Sequence, residues 1–330
     1  MLVLAKAMLA VMIGFISSVI FGLMIIPFLK KIKVKQKVSI FLEKVHKKKD
    51  GTPTMGGVIF IIPTLFTIGL LLLTNKIELT YNLLIVIFVF LAYAVLGFID
   101  DYLIIKRHSN EGLTEIQKLI GQVIIALVFF MLYTKGGNPT SFDVSILGIN
   151  INLGWCYSFF ILFLLVASSN AVNITDGLDG LAGGLSAIAF LAFGMMAWAS
   201  TYTQGNQDIA VFCFILLGSL LGFLVFNTYP ARVFMGDTGS LSLGGTLASI
   251  AILTHHEITF IVVAGLFIIE TLSSLVQMIS VYFFHKKILI MAPLHHHFEK
   301  MGYHERDIVK AYWVIGLILA MAGILYSVWI

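Results

Sequence analysis

The sequence predicts an all-α polytopic membrane protein, and three observations predict it. Of the 330 residues, 59% are hydrophobic and only 12% are charged, where soluble domains carry about 25% charged residues. Apolar runs long enough to cross a bilayer as helices, about 20 residues each, recur along the whole chain. Nearly all the basic residues fall in alternate connections between those runs. A water-soluble globule is excluded, and the chain reads as one membrane domain over 1–330.

Ten spans are expected: 7–29, 55–74, 81–100, 118–135, 154–170, 181–200, 209–227, 240–254, 258–284 and 309–329. The first is too long for the apolar core of a signal peptide and lacks a clear cleavage pattern, so it reads as a retained helix. A basic run from Lys30 to Lys49 follows it and leads into "KDGTPTMGG". Glycines and threonines at a helix start expose backbone N–H groups that suit phosphate. The third span, "NLLIVIFVFLAYAVLGFI", ends on Asp100 and Asp101. Between the fourth and fifth spans, residues 136–153 alternate polar and apolar positions, which predicts a small β-hairpin. The fifth span runs into "SSNAVNITDGLDGLAGG", and the seventh into "NTYPARVFMGDTGS". The eighth, 240–254, is short and Gly-rich. The ninth, 258–284, is long enough to tilt, bend or break, and carries Glu270, expected to be a paired packing group. It is followed by "MAPLHHHFEKMGYHE". Cys156 and Cys213 both lie in spans and read as packing residues.

Of the 21 Lys and Arg residues, all but Lys6, Lys76 and Lys135 fall in the connections after odd-numbered spans. By the positive-inside rule that side is cytoplasmic, which leaves both termini and the hairpin outside. All five unusual polar clusters fall on the same cytoplasmic side. Each has an ordinary structural reading as a cap, a turn or a hydrated loop; five on one face point to a shared site, because ionisable groups near membrane depth are costly.

The chemistry of the clusters is that of phosphoryl transfer. Asp100, Asp101, Asp176, Asp179 and Asp237 would repel one another without a counter-ion. Hard divalent cations take oxygen ligands, and Mg²⁺ commonly uses one or two carboxylates plus substrate phosphates. Lys49, Lys118 and the three histidines add positive or protonatable groups. Adjacent helical residues point about 100° apart, so one of Asp100 and Asp101 faces the reacting centre and the other supports it. Asn170, Asn173 and Asp176, spaced by three, fall along one flank of a helix. Thr238 and Ser240 are cap neighbours of Asp237.

The motifs "GTPTMGG", "FIDDY", "SNAVNITDGLDGLAGG", "FMGDTGS" and "APLHHHFE" together resemble the phospho-N-acetylmuramoyl-pentapeptide transferases of the MraY type, within the polyprenyl-phosphate sugar-1-phosphate transferases. The resemblance covers essentially the whole chain. It implies transfer of phospho-MurNAc-pentapeptide from UDP-MurNAc-pentapeptide to undecaprenyl phosphate at the cytoplasmic face of a bacterial plasma membrane. Lipid I and UMP are the products, Mg²⁺ the cofactor and a homodimer the assembly. It implies Asp237 as the metal ligand and Asp100 and Asp101 as the catalytic acidic pair. Lys49, Thr54, Asn170, Asn173, Asp176, Phe234 and Gly236 match nucleotide-pocket or nearby polar positions, and Lys118 matches a basic, substrate-binding residue of the active site. His295, His296 and His297 match the histidine motif, with His296 expected among the catalytic groups. The family's basic residue three places after the second aspartate is Ile104 here, followed by Lys106 and Arg107. Two other functions remain open on sequence: an N-acetylhexosamine-1-phosphate transferase of the same superfamily, and a metal or solute transporter, whose ionisable groups belong nearer the bilayer midplane.

Overall fold

A computed structural model describes residues 2–31, 51–107, 112–144, 149–199 and 206–329. The chain is a helical bundle. Among the described residues, eight helices are long and apolar enough to cross a membrane: α1 (Leu2–Lys31), α3 (Tyr81–Arg107), α4 (Glu115–Lys135), α5 (Tyr157–Thr175), α6 (Leu181–Ala199), α7 (Asn206–Asn227), α10 (Gly265–Phe284) and α12 (Glu305–Trp329). This is a multi-pass membrane architecture, and these eight account for eight of the ten expected spans.

The remaining two expected spans are helices of a different kind. At 16 residues, α2 (Val58–Leu73) is apolar but short, about 24 Å at 1.5 Å per residue against a hydrocarbon core of about 30 Å. At 18 residues, α8 (Gly236–Leu253) is rich in Gly, Ser and Thr, and every residue from Thr238 to Leu253 is buried. Small residues let helices approach closely where lipid offers no hydrophobic drive for association. Helices α2, α3, α5 and α6 all pack on α8, and α7 packs on α1, α2, α3 and α6. The bundle's centre is therefore α7 and α8.

The long ninth segment is broken. α9 (Glu257–Val263) and α10 meet at Ala264. Ala264 N–H still donates to Phe260 O at 2.8 Å, and Ile268 N–H to Ala264 O at 3.0 Å, so the hydrogen-bond ladder continues through the bend. Beyond α10 the chain folds back along it into α11 (Leu294–Lys300). On the opposite side of the chain's course, β1 (Ser141–Val144) pairs antiparallel with β2 (Ile149–Asn152). That is the hairpin expected within 136–153.

Where α3 crosses α8, the two backbones nearly touch. A Cβ on Gly97 would lie 2.1 Å from the Asp237 carbonyl oxygen. Along the same interface Ser242 Oγ donates to Phe90 O at 2.8 Å. On the other flank of α8, Ser168 Oγ donates to Gly244 O at 2.7 Å. Gly97→Val is expected to destabilise the bundle by about 1–3 kcal/mol, the usual cost of overpacking. The readout is a lower Tm in detergent; an unchanged Tm would mean that the crossing can open without penalty.

Candidate active site

The α3–α8 crossing brings Asp100 and Asp101, in the last two turns of α3, against the first turn of α8. Both are buried, each 3% exposed. Asp101 works as a cap supplied from another helix. Its Oδ1 accepts from Asp237 N–H at 3.2 Å, and its Oδ2 from Thr238 N–H at 2.9 Å and Thr238 Oγ at 2.6 Å. The first amides of a helix have no partner within it, and a carboxylate there is favoured by the helix dipole. Gly236 makes room for this contact: its φ is +73°, and a Cβ would lie 2.6 Å from Asp101 Oδ2 and 2.8 Å from Thr54 Oγ. Thr54, in the segment before α2, is buried beside Gly236.

Asp100 points the other way. Its Oδ1 accepts from Leu113 N–H at 2.8 Å, and its Oδ2 lies 3.4 Å from Lys118 Nζ. Lys118 also donates to Asp237 Oδ2 at 2.6 Å, so one ammonium bridges two carboxylates from different helices. A capping box sets Lys118 in place. Thr114 Oγ accepts from Gln117 N–H at 3.2 Å, and Gln117 Oε1 accepts from Thr114 N–H at 3.0 Å. That reciprocal pair fixes the start of α4 at Glu115, three residues before Lys118. Arg107 donates to Gly112 O at 2.8 Å, which steadies the same connection. Lys106 is exposed and Ile104 is half-buried.

Asn173, on α5, closes the ring. Its amide donates to Asp237 Oδ1 at 2.8 Å and lies 2.9 Å from Ser240 Oγ. One turn earlier, Asn170 pairs reciprocally with Gln122 of α4, at 3.0 and 3.3 Å. Gln122 lies one turn after Lys118 and was not singled out by sequence reasoning. The i, i+4 spacing from Lys118 was the available signal. Asp176 stands just past α5 as its C-cap residue. Asp179 serves the loops: its Oδ2 accepts from Ala231 N–H at 2.9 Å, and its N–H donates to Glu305 Oε1 at 2.7 Å.

The glycine-rich segment before α2 packs against this cluster through its backbone. Gly56 and Gly57 N–H donate to Phe234 O and Met235 O at 2.7 and 2.8 Å, and Phe234 N–H donates to Pro53 O at 2.8 Å. Those two glycine amides, expected to suit phosphate, are thus engaged by the chain itself. Phe234 is half-buried beside them. Lys49 lies outside the described residues.

The histidines form a second group on α11. His295 is fully buried; its Nδ1 donates to Glu270 Oε2 at 2.9 Å, and Tyr312 Oη donates to Glu270 Oε1. Glu270 is therefore a paired group. A Cβ on Gly177 would lie 2.2 Å from His295 Nε2, so this group abuts the turn after α5, the helix whose Asn173 holds Asp237. His296 Nδ1 donates to Glu299 Oε2 at 2.6 Å, and His297 Nδ1 accepts from Ile290 N–H at 3.1 Å.

A membrane-embedded bundle with clustered carboxylates, amides and a lysine at the ends of its helices belongs to a class of transferases: the sequence profile described as Glycosyl transferase family 4 matches residues 83–255. The phospho-N-acetylmuramoyl-pentapeptide-transferase signature 1 matches residues 49–61. Proteins named phospho-N-acetylmuramoyl-pentapeptide-transferase align along nearly all of the chain. The one from Geobacillus sp. (strain WCH70) is 46% identical over 98% of both chains. That from Bacillus subtilis (strain 168) is 46% identical over 97% of both. The Anoxybacillus flavithermus protein is 43% identical over 96% of this chain and 97% of its own. The chain belongs to the phospho-N-acetylmuramoyl-pentapeptide-transferase family.

Two predictions separate roles within the cluster. Asp101→Asn removes the charge that caps α8 and is expected to lower stability by about 1–3 kcal/mol, seen as a lower Tm. Asp100→Asn should lower Tm less; equal shifts would contradict the capping role. Gln122→Leu leaves the Asn170 amide unpaired and is expected to cost about 1–3 kcal/mol, whereas adding Asn170→Leu should restore part of the loss. Strict additivity in that double-mutant cycle would show that the amide pair contributes nothing.

Proposed function

We propose that this chain transfers phospho-MurNAc-pentapeptide from UDP-MurNAc-pentapeptide to undecaprenyl phosphate, yielding lipid I and UMP for peptidoglycan synthesis. The reaction is assigned to the cytoplasmic face of a bacterial plasma membrane, in a ten-segment fold with both termini outside and a homodimeric assembly. The observation that carries the reading is the grouping of Asp100, Asp237, Lys118 and Asn173 at the edge of the bundle, in a chain of this family. The donor is water-soluble and anionic, and the acceptor is a lipid with its phosphate at headgroup level. They meet only at an interface, which is where an apolar helix must end in reactive polar groups.

The proposed step is attack by an oxygen of the lipid phosphate on the sugar-linked phosphorus, with UMP leaving. Because a phosphate monoester's second pKa is about 6, the nucleophile is already largely ionised at neutral pH. Asp100, beside the nucleophile, would take the remaining proton. A two-step route through an aspartyl-phosphate is the alternative, and recovery of a ³²P-labelled aspartyl enzyme from donor alone would establish it. Lys118 and Asn173, both aimed at Asp237, would orient the pyrophosphate.

Mg²⁺ is proposed as the cofactor, with Asp237 as its ligand. Among the described residues no group of three or more His, Cys, Asp or Glu is arranged to hold a metal by itself. The fit is instead to the mode in which one or two carboxylates share the ion with substrate phosphates. Two features favour it. The Asp237 side chain is 21% exposed. Lys118 is shared by two carboxylates, Asp100 and Asp237, so negative charge is left over. When bound, the ion would neutralise the pyrophosphate as charge builds on the leaving group.

The purified chain should release UMP from UDP-MurNAc-pentapeptide in the presence of undecaprenyl phosphate and Mg²⁺, and not from UDP-GlcNAc. Chelation should stop release and Mg²⁺ restore it. Asp237→Asn should lower kcat by about 10²–10³, the scale of losing one electrostatic stabiliser of the transition state. UMP released from UDP-GlcNAc alone would move the chain to the hexosamine branch. Ion flux into liposomes without any UMP would refute transfer altogether.

A further inference from the structure

Helix α4 enters the cluster of acids without a buried apolar anchor. From Glu115 to Gly121 none of its residues is buried, and Ile116, Leu119 and Ile120 are exposed. Gln122 is the first buried residue of the helix, 1% exposed, and the buried apolar ones begin at Ile125. Lys118 stands one turn before it, so an amide is the nearest buried side chain of α4 to the ammonium. On the side of α3 the backbone comes close at Gly121, where a Cβ would lie 2.7 Å from Leu96 Cδ1. Toward α5, Gln122 meets Asn170.

Their pairing runs both ways. Asn170 Nδ2 donates to Gln122 Oε1 at 3.0 Å and to Val166 O at 2.8 Å, and Gln122 Nε2 donates to Asn170 Oδ1 at 3.3 Å. Both Asn170 amide protons are therefore spent inside the chain. What Asn170 gives the site is a fixed point on α5. The two helices share one spacing: Lys118 lies one turn before Gln122 on α4, and Asn173 one turn after Asn170 on α5. Lys118 and Asn173 then donate to opposite oxygens of Asp237, Oδ2 at 2.6 Å and Oδ1 at 2.8 Å. Hydrogen bonds are directional, and two of them in opposite senses admit one register between the helices. An apolar contact at that point would tolerate a slide.

We propose that Gln122 is a positioning residue for the transfer reaction: it holds Asn170 across the α4–α5 interface and thereby sets the spacing of Lys118 and Asn173 about Asp237. The inference rests on the transferase reading given above. Groups at a reacting centre must be held within about 0.5 Å of their productive places by the residues behind them, and a misplacement of about 1 Å can cost about a hundredfold in rate. The capping box fixes where α4 begins, and the amide pair fixes how far its first turns stand from α5.

The test compares full chains in detergent, below every Tm, by UMP release and by the rate at which an acetylating reagent modifies the Lys118 amine, read by mass spectrometry. Gln122→Leu is expected to lower kcat about 10–100-fold with KM for UDP-MurNAc-pentapeptide unchanged, and to speed acetylation of Lys118. Gln122→Asn shortens the arm and should act in the same direction. Gln122→Asn with Asn170→Gln rebuilds the amide pair at the same summed length and should recover kcat about tenfold over Gln122→Asn alone. If Gln122→Leu does not fold, Gln122→Asn and its rescue decide. A lower Tm with kcat and Lys118 acetylation unchanged overturns the proposal in favour of a purely structural amide. Failure of the rebuilt pair to recover kcat overturns it in favour of direct contact between Asn170 and substrate. A wild type that releases no UMP refutes the transfer reading instead, and the acetylation rates then decide the positioning by themselves.

Discussion

Everything at the candidate site depends on one carboxylate meeting one helix end. Asp101 accepts from both of the first free amides of α8 and from the Thr238 hydroxyl. The contact exists because Gly97 lets α3 lie against the Asp237 backbone and because Gly236 turns through a positive φ. With the helix start clamped, the Asp237 side chain has little choice of direction. It is delivered to Lys118 on one side and Asn173 on the other. Adjacent acids thus divide their labour as the helical angle requires: Asp101 shapes the backbone, and Asp100 faces the lysine.

The electrostatics favour specificity over stability. Buried ion pairs recover their desolvation cost only when the geometry is good, and here a lysine serves two carboxylates at 2.6 and 3.4 Å. The Asp237 and Lys118 side chains remain about one-fifth exposed, so this pair can exchange partners with an incoming anion. Asp101 cannot do so, since its oxygens are filled by backbone and hydroxyl donors. The partly exposed pair thus sits beside a fixed one.

Much of this was legible in the sequence, for physical reasons. Eight spans announced themselves because lipid-facing helices must be apolar along their length. The hairpin followed from alternation, and the acidic pair from its place at the end of an apolar run. Helix α8 matches the expected eighth span, which read as short and Gly-rich because it faces protein on every side, and its hydropathy falls below that of a lipid-facing span. What escaped was the partners of polar groups. Gln122 was not singled out, because only the packing of α4 on α5 gives its amide a partner. Gly56 and Gly57 read as a phosphate cradle, but their amides pair with a strand-like segment more than 170 residues away in sequence. A single sequence reports local periodicity well and the destination of an amide poorly.

The histidine group shows how a charge inside an apolar helix can serve a site elsewhere. Glu270 lies in a spanning helix, where an unpaired carboxylate would be costly. Tyr312 from α12 and His295 from α11 both donate to it, so it ties three helices at one point. The same bond fixes the orientation of the His295 ring, with Nδ1 held toward the carboxylate. That Nε2 faces Gly177, at the end of α5. Since α5 also carries Asn173, the two polar groups are joined through α5 and the turn that follows it.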